Sequence, residues 1–210
     1  MMAAEQTDGF WLSELVDDTS LVPTEADCQI SDLCLDSREM TPGACFIARR
    51  GHEVDGNAFI DQAIDGGACA VVAEHDRLVD LEYRKDVPIL RLPGIGERLS
   101  AMAAKFYGHP SRTMCVTGVT GTNGKTTVSW LLSQALAEHY ELGPCGFAGT
   151  VGTGLPGSLK PSTNTTPDAI SVQRLLAELK EEKIKSVVLE VSSHALVQDR
   201  VNAVEFDLAI

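Results

Sequence analysis

Apolar residues in this chain fall into short runs that alternate with segments whose apolar positions recur at helical spacing. Phe10-Trp11-Leu12 with Leu15-Val16 predicts a short amphipathic helix. Ile30 to Leu35 and Cys45 to Ala48 predict strands, separated by a turn at Thr41-Pro42-Gly43. Asn57 to Ile64 places Phe59, Ile60, Ala63 and Ile64 on one helical face, and Gly66-Gly67 ends it. Cys69 to Ala73 and Pro88 to Leu92 predict buried strands, and Gly96 to Tyr107 a helix. Gly108-His109-Pro110-Ser111 is the best linker candidate. The pattern restarts near Thr113 with a strand over 113–118, a helix over 124–137 and a strand from Gly143 to Ala148. A helix over 167–182 follows, with Thr166 as its expected N-cap, Pro167 at its first position and Asp168 in its first turn. A strand over 186–191 and a short helical piece come next.

Strands alternating with helices predict an α/β fold built on parallel sheets. Two domains are expected, 1–110 and 111–210. Gly149 to Thr166 is rich in Gly, Pro, Ser and Thr and lacks apolar periodicity, and a long irregular segment inside a compact domain is more often functional than idle. The final run, Phe206-Asp207-Leu208-Ala209-Ile210, reads as a strand with nothing after it to close the sheet, so the second domain is expected to be incomplete.

Composition changes this picture little. The net charge of −13 argues against a nucleic-acid-binding surface, where a basic face would be expected. Cys28, Cys34, Cys45, Cys69, Cys115 and Cys145 form no C-x-x-C pair, and most sit in apolar runs, as buried free thiols of a reducing compartment do. No segment approaches the ~18 apolar residues of a membrane span. The N-terminus lacks the basic start and apolar core of a signal peptide. A cytoplasmic monomer with no nucleic-acid or membrane partner is expected.

The chemistry concentrates in the second domain. Gly121-Thr122-Asn123-Gly124-Lys125-Thr126-Thr127 follows an apolar strand and opens a helix, which is the layout of a phosphate-binding loop. Glycines let backbone N–H groups approach phosphate oxygens, and the helix start adds a positive dipole end. Lys125 can reach the β- and γ-phosphates, and the Thr126 hydroxyl can ligate Mg²⁺. The strict P-loop pattern has glycine where this chain has Val119, so the loop is a variant. Ser186-Val187-Val188-Leu189-Glu190 is an apolar strand ending in a carboxylate, which is costly to bury unless paired or metal-bound. Beside a phosphate loop, Mg²⁺ is its natural partner, with a structural ion pair as the alternative. His194 lies past the strand end, where ligand loops of α/β sheets gather, and is either a metal or phosphate contact or a capping or core histidine. Asn164-Thr165-Thr166 before a helix is an anion or sugar site or a simple cap. Gln198 and Arg200 sit on a polar turn that by default is solvated. In the first domain, Asp36-Ser37-Arg38 and Gly51-His52-Glu53-Val54-Asp55-Gly56 each follow a strand. They could meet at one sheet edge or be ordinary turns.

From about residue 31 to residue 210 these segments together resemble the Mur ligase family. The resemblance rests on Leu35-Asp36-Ser37-Arg38, the Gly51 to Gly56 loop, the run from Glu97 to Tyr107, Val116 to Thr127, Asn164-Thr165-Thr166-Pro167, and Glu190 to Leu196. The family's phosphate loop has the form G-T-N-G-K-T, which accounts for Val119. The implied architecture is a small N-terminal α/β UDP-binding domain followed by a truncated P-loop parallel-sheet ATP-binding domain. Leu35, Ser37, His52, Glu53 and Val54 would hold the UDP portion of the substrate, and Gly121 to Thr127 would bind ATP. Asn164, Thr165, Thr166, Ser192, Gln198 and Arg200 would contact UDP-N-acetylmuramoyl dipeptide. Thr126, Glu190 and His194 would serve Mg²⁺, with Lys125, Glu190 and His194 as the catalytic set. The implied reaction, in peptidoglycan biosynthesis, phosphorylates the dipeptide's terminal carboxylate with ATP and lets the amine of a diamino acid displace phosphate. meso-Diaminopimelate is favoured over L-lysine. Complete members are considerably longer, and the amine-binding domain and a modified lysine that supports metal binding have no counterpart here. The 210 residues alone are therefore expected to be inactive. A binding-only remnant, or another ligase of the superfamily such as a folylpolyglutamate synthetase, is the alternative.

Overall fold

The computed structural model describes residues 9–16, 18–51, 54–77, 79–139, 143–162 and 164–210. The expectations for His52 and Glu53 lie outside the described residues. The chain divides into two compact units, Met1–Gly96 and Glu97–Ile210.

The first unit opens with β1 (Phe10–Trp11) and α1 (Leu12–Leu15), followed by β2 (Gln29–Ile30) and β3 (Leu33–Cys34). The helix expected from Phe10 starts only at Leu12, because Phe10 and Trp11 pair antiparallel with Ile30 and Gln29. The single strand expected over 30–35 is split for the same reason. Its first residue pairs with β1, whereas Leu33 and Cys34 join β4 (Cys45–Ala48) in parallel. There follow α2 (Ile60–Asp65), β5 (Ala70–Glu74), β6 (Asp80–Arg84) and β7 (Val87–Leu92), giving a sheet of order β3-β4-β5-β7-β6. The first four strands in that order are parallel, and β6 runs antiparallel on the edge. β6 went unpredicted because Asp80-Leu81-Glu82-Tyr83-Arg84 has no apolar run. Its turn to β7 holds Lys85 and Asp86 at φ 52 and 66. That is the left-handed pair typical of a two-residue hairpin, without the usual glycine. Phe46, Ile60, Ala63, Val71 and Ile89 form this unit's core under α2.

Helix α3 (Ile95–Phe106) begins at the unit boundary. The sequence placed it in the first domain. In the structure its Ser100 is fully buried, and its hydroxyl accepts from the Ala203 N–H at 3.0 Å, so the body of the helix belongs to the second unit.

The second unit contains β8 (Cys115–Val119), α4 (Lys125–Ala137), β9 (Cys145–Gly149), β10 (Gly152–Gly154), α5 (Ala169–Glu181), β11 (Ser186–Glu190), α6 (Ser193–Val197) and β12 (Leu208–Ala209). The sheet order is β10-β9-β11-β8-β12, all parallel except β10. Side chains of β11 alternate between faces. Val187 and Leu189 pack with Val172, Leu176 and Leu179 of α5, while Val188 packs with Leu132 and Leu136 of α4. By that alternation Glu190 shares the face of Val188, the face that α4 covers. The final run is tied into the sheet as expected, with Asp207 and Ile210 N–H groups donating to Val116 and Gly118 carbonyls at 2.9 Å each.

All six cysteines are free thiols. Among the described residues no helix is long and apolar enough to cross a membrane.

Candidate functional site

β8 and β11 are parallel neighbours in register, Val119 opposite Glu190, so the loop after β8 and the carboxylate ending β11 emerge side by side. The loop turns at Gly121 (φ 133) and again at Gly124 (φ 82), the N-cap of α4. No atom lies within 4 Å of a Cβ built on Gly124, so it is the left-handed backbone, not space, that requires glycine there. Helix α4 starts directly on Lys125, with the Val128 N–H donating to the Gly124 carbonyl at 2.9 Å. The amides of its first turn therefore have no carbonyl one turn earlier in the helix to pair with. The Lys125 ammonium folds back to the Gly121 carbonyl at 2.8 Å.

Thr122 to Thr127, Thr150, Thr165 and Glu190 line a polar cavity of about 340 Å³. An apolar cavity of about 370 Å³ lies beside it, sharing Thr126 and Thr127 and walled by Trp130, Leu131, Val151 and Leu159. Glu190 is 1% exposed. Its Oε2 accepts from the Thr126 hydroxyl at 2.9 Å, and its Oε1 accepts from the Thr150 N–H at 3.0 Å. Thr150 also meets the Thr165 hydroxyl at 3.1 Å. Thr150 was missed by sequence reasoning. The one local signal was its position after a strand ending in Ala148-Gly149, inside the segment singled out only as long and irregular.

The other expected contacts divide. Thr166 is 2% exposed, donates to the Glu190 carbonyl at 2.8 Å and accepts from the Ser192 N–H at 3.0 Å. It does not cap α5, as expected of it. Asp168 does, accepting from the Ile170 and Ser171 N–H groups at 3.0 Å each. Ser192 caps α6 through the Ala195 N–H at 3.2 Å. Arg200 donates from Nη1 to the Thr166 carbonyl at 2.7 Å and from Nε and Nη2 to the Gln198 side chain, pinning the segment before α5 to the turn after α6. Asn164 is exposed in the same segment. His194 lies exposed in the first turn of α6 and is not among the residues lining the polar cavity.

In the first unit, β3 and β4 are parallel neighbours, so the loops at Ser37 and Val54 leave the same end of the sheet. Ser37 is buried, and its hydroxyl donates to Gln62 at 2.9 Å. Leu35 is half-buried and Val54 exposed. Asp36 caps the 3₁₀ turn Ser37–Glu39. The Arg38 guanidinium, and then the Arg38 N–H, hold the Asp36 carboxyl down to about 2 from its ordinary 3.8. A depressed carboxylate stabilises the folded loop fully above its unfolded value and loses that contribution as pH falls through its folded one. The resonance of the Arg38 amide, which donates to that carboxyl, is therefore expected to titrate with a midpoint near 2. A midpoint at the ordinary carboxylate value would show that the cap does not persist in solution.

Two family models match the chain: Mur ligase middle domain over residues 119–210, and Mur ligase family, catalytic domain, over residues 29–107. The gap between them falls on the linker candidate, whereas the compact units divide earlier, after Gly96. The chain is 46% identical over 186 residues to UDP-N-acetylmuramoyl-L-alanyl-D-glutamate--2,6-diaminopimelate ligase of Pseudomonas aeruginosa, covering 89% of this chain and 38% of that protein. It is 40% identical over 202 residues to the ligase of the same name from Coxiella burnetii, covering 96% of this chain and 40% of that one. A solved structure of a ligase of that name superposes with a TM-score of 0.69 at 27% identity, covering 86% of this chain and 36% of the other. MurF ligase from Thermotoga maritima in complex with ADP gives a TM-score of 0.57 at 23% identity, covering 84% and 36%, a likeness of fold alone. The chain spans about two fifths of the length of the curated relatives it matches.

Proposed function

Because the chain belongs to the Mur ligase family, we propose that it carries the UDP-binding and ATP-binding portions of a ligase that joins a diamino acid to UDP-N-acetylmuramoyl-L-alanyl-D-glutamate, a cytoplasmic step of peptidoglycan biosynthesis. The relatives' names, all specifying 2,6-diaminopimelate, support diaminopimelate over lysine as the amine. The observation that carries the reading is the buried Glu190 carboxylate facing Thr126 across a polar cavity at the phosphate loop. No lysine or arginine among the described residues pairs with it. Leaving a buried carboxylate without a cation costs several kcal/mol, on the order seen for broken buried pairs.

The donor set fits Mg²⁺, a hard cation that takes carboxylate and hydroxyl oxygens. Thr126 and Glu190 would hold it, and it would neutralise charge on the phosphate oxygens of bound ATP. The chain's own groups do the rest. Loop amides from Thr122 to Thr127 and the start of α4 cradle the phosphates. Lys125 swings from the Gly121 carbonyl to the terminal phosphates. The segment 164–166, held by Arg200 and by the Thr166 bonds to Glu190 and Ser192, presents the dipeptide carboxylate to the γ-phosphoryl group. Loops at Ser37 and Val54 take the uridine nucleotide. Monomeric action and the metal role of His194 belong to the same proposal.

Calorimetric titration of the chain with ATP, with and without Mg²⁺, and with UDP-N-acetylmuramoyl-L-alanyl-D-glutamate tests this. Mg²⁺-dependent ATP binding, with the uridine ligand shifting the Ser37 resonance, is expected. A folded chain that binds neither ligand would overturn the proposal.

A further inference from the structure

We propose that Gly149 and Thr150 are positioning residues that build the seat for the Glu190 carboxylate and link it to the substrate segment at Thr165. This rests on the reading of Glu190 as a cation ligand. Gly149 ends β9, pairs with Gly152 of β10, and is followed by the turn at Thr150 and Val151. A Cβ built on Gly149 would lie 2.0 Å from Glu190 Oε1 and 2.6 Å from its Cδ. The backbone of Gly149 is not left-handed, so conformation does not call for glycine here. The missing side chain leaves the space that the carboxylate fills.

The next residue supplies the bonds. The Thr150 N–H donates to Oε1 at 3.0 Å, and its hydroxyl lies 3.4 Å from Oε2, 3.5 Å from the Thr126 hydroxyl and 3.1 Å from the Thr165 hydroxyl. One oxygen of Glu190 is thus fixed by the hairpin amide, and the other is turned toward Thr126. Thr150 lies between the phosphate loop, the strand carboxylate and the segment before α5. An added methyl would strike the Glu190 carboxylate first, and it would also come within 2.7 Å of Cζ of the buried Phe147 ring. Gly149→Ala therefore displaces the carboxylate and presses on the core together, and the Thr150 variants, which add nothing at Gly149, separate the seat from the fold. Partners that orient a metal ligand typically change cation affinity by about ten- to a hundredfold when removed.

The test uses the 210-residue chain with Mn²⁺ as the probe, its ATP-dependent binding followed by electron paramagnetic resonance, in wild type, Glu190→Gln, Gly149→Ala, Thr150→Val and Thr150→Ser. Gly149→Ala and Thr150→Val are expected to weaken Mn²⁺ binding at least about tenfold. Thr150→Ser, which keeps the hydroxyl, should recover it. A crystal structure of Gly149→Ala should show Glu190 rotated away from Thr126. If Glu190→Gln loses Mn²⁺ while Gly149→Ala and Thr150→Val keep it, the seat is overturned and the cation reading stands. If wild type fails to bind Mn²⁺, or Glu190→Gln binds it as wild type does, the cation reading itself falls and takes the seat with it. Should Gly149→Ala not fold, the contrast between Thr150→Val and Thr150→Ser decides alone.

Discussion

Replacing Lys125 by alanine is expected to weaken ATP binding by about ten- to a hundredfold while leaving the fold intact. Hydrogen bonds to charged groups contribute ~1.5–3 kcal/mol, which sets that range. Lys125 stands at the start of α4 with its ammonium on the Gly121 carbonyl, a bond within the exposed loop itself. Nothing in the core depends on it, so the midpoint of thermal unfolding should stay within the change expected of a surface substitution, about 0.5 kcal/mol. Where phosphoryl transfer is measurable, the loss should be larger still, because charge on the transferring group is stabilised most in the transition state. Calorimetry with ATP and Mg²⁺ on wild type and Lys125→Ala reads the binding. Equal affinities would show that the loop is not the ATP site. A collapse of the fold would show that Lys125 has a structural task that its contacts do not reveal.

The turn at Gly121 to Gly124 and the helix start at Lys125 were legible because their pattern is local: two glycines three apart supply the positive φ angles, and Lys125-Thr126 opens the helix directly after them. Glu190 was legible for a related reason, since an apolar strand ending in a carboxylate states both its burial and its need for a partner. What the sequence hid was made by tertiary pairing. Thr150 becomes part of the site because β10 folds back on β9, and Gly152-Thr153-Gly154 has no apolar alternation to announce a strand. Thr166 has the form of an N-cap, yet its hydroxyl bridges β11 and α6, and Asp168 takes the cap two residues later. The run from Ile30 to Leu35 read as one strand, but its ends serve two sheets. The Ser37 hydroxyl rests on Gln62, 25 residues away on α2, a bond that no local pattern announces. Local pattern reports what a residue can do, and the fold chooses among its options.

Replacing Phe147 by alanine is expected to destabilise the second unit by about 3–5 kcal/mol, the usual cost of removing a buried aromatic ring. Phe147 is fully buried in β9, between the glycines at 146 and 149, and meets Trp130 of α4 edge to face at 5.3 Å. Glycine neighbours on its strand have no side chains to close the void, so little relaxation is available and the cavity term should be near its full size. Set against a total stability of about 5–15 kcal/mol, that is a large share for one side chain. It also falls on the strand that carries Gly149 and Thr150 to Glu190. Urea unfolding followed by Trp130 fluorescence, with Trp11 replaced by phenylalanine so that only the second unit reports, gives the value directly. Leu131→Ala, at a position 60% exposed on the same helix, serves as control and should change stability by no more than about 0.5 kcal/mol. A Phe147→Ala loss no greater than the control's would mean that the α4 face of the sheet is loosely packed, and that the seat of Glu190 is held by its hydrogen bonds alone.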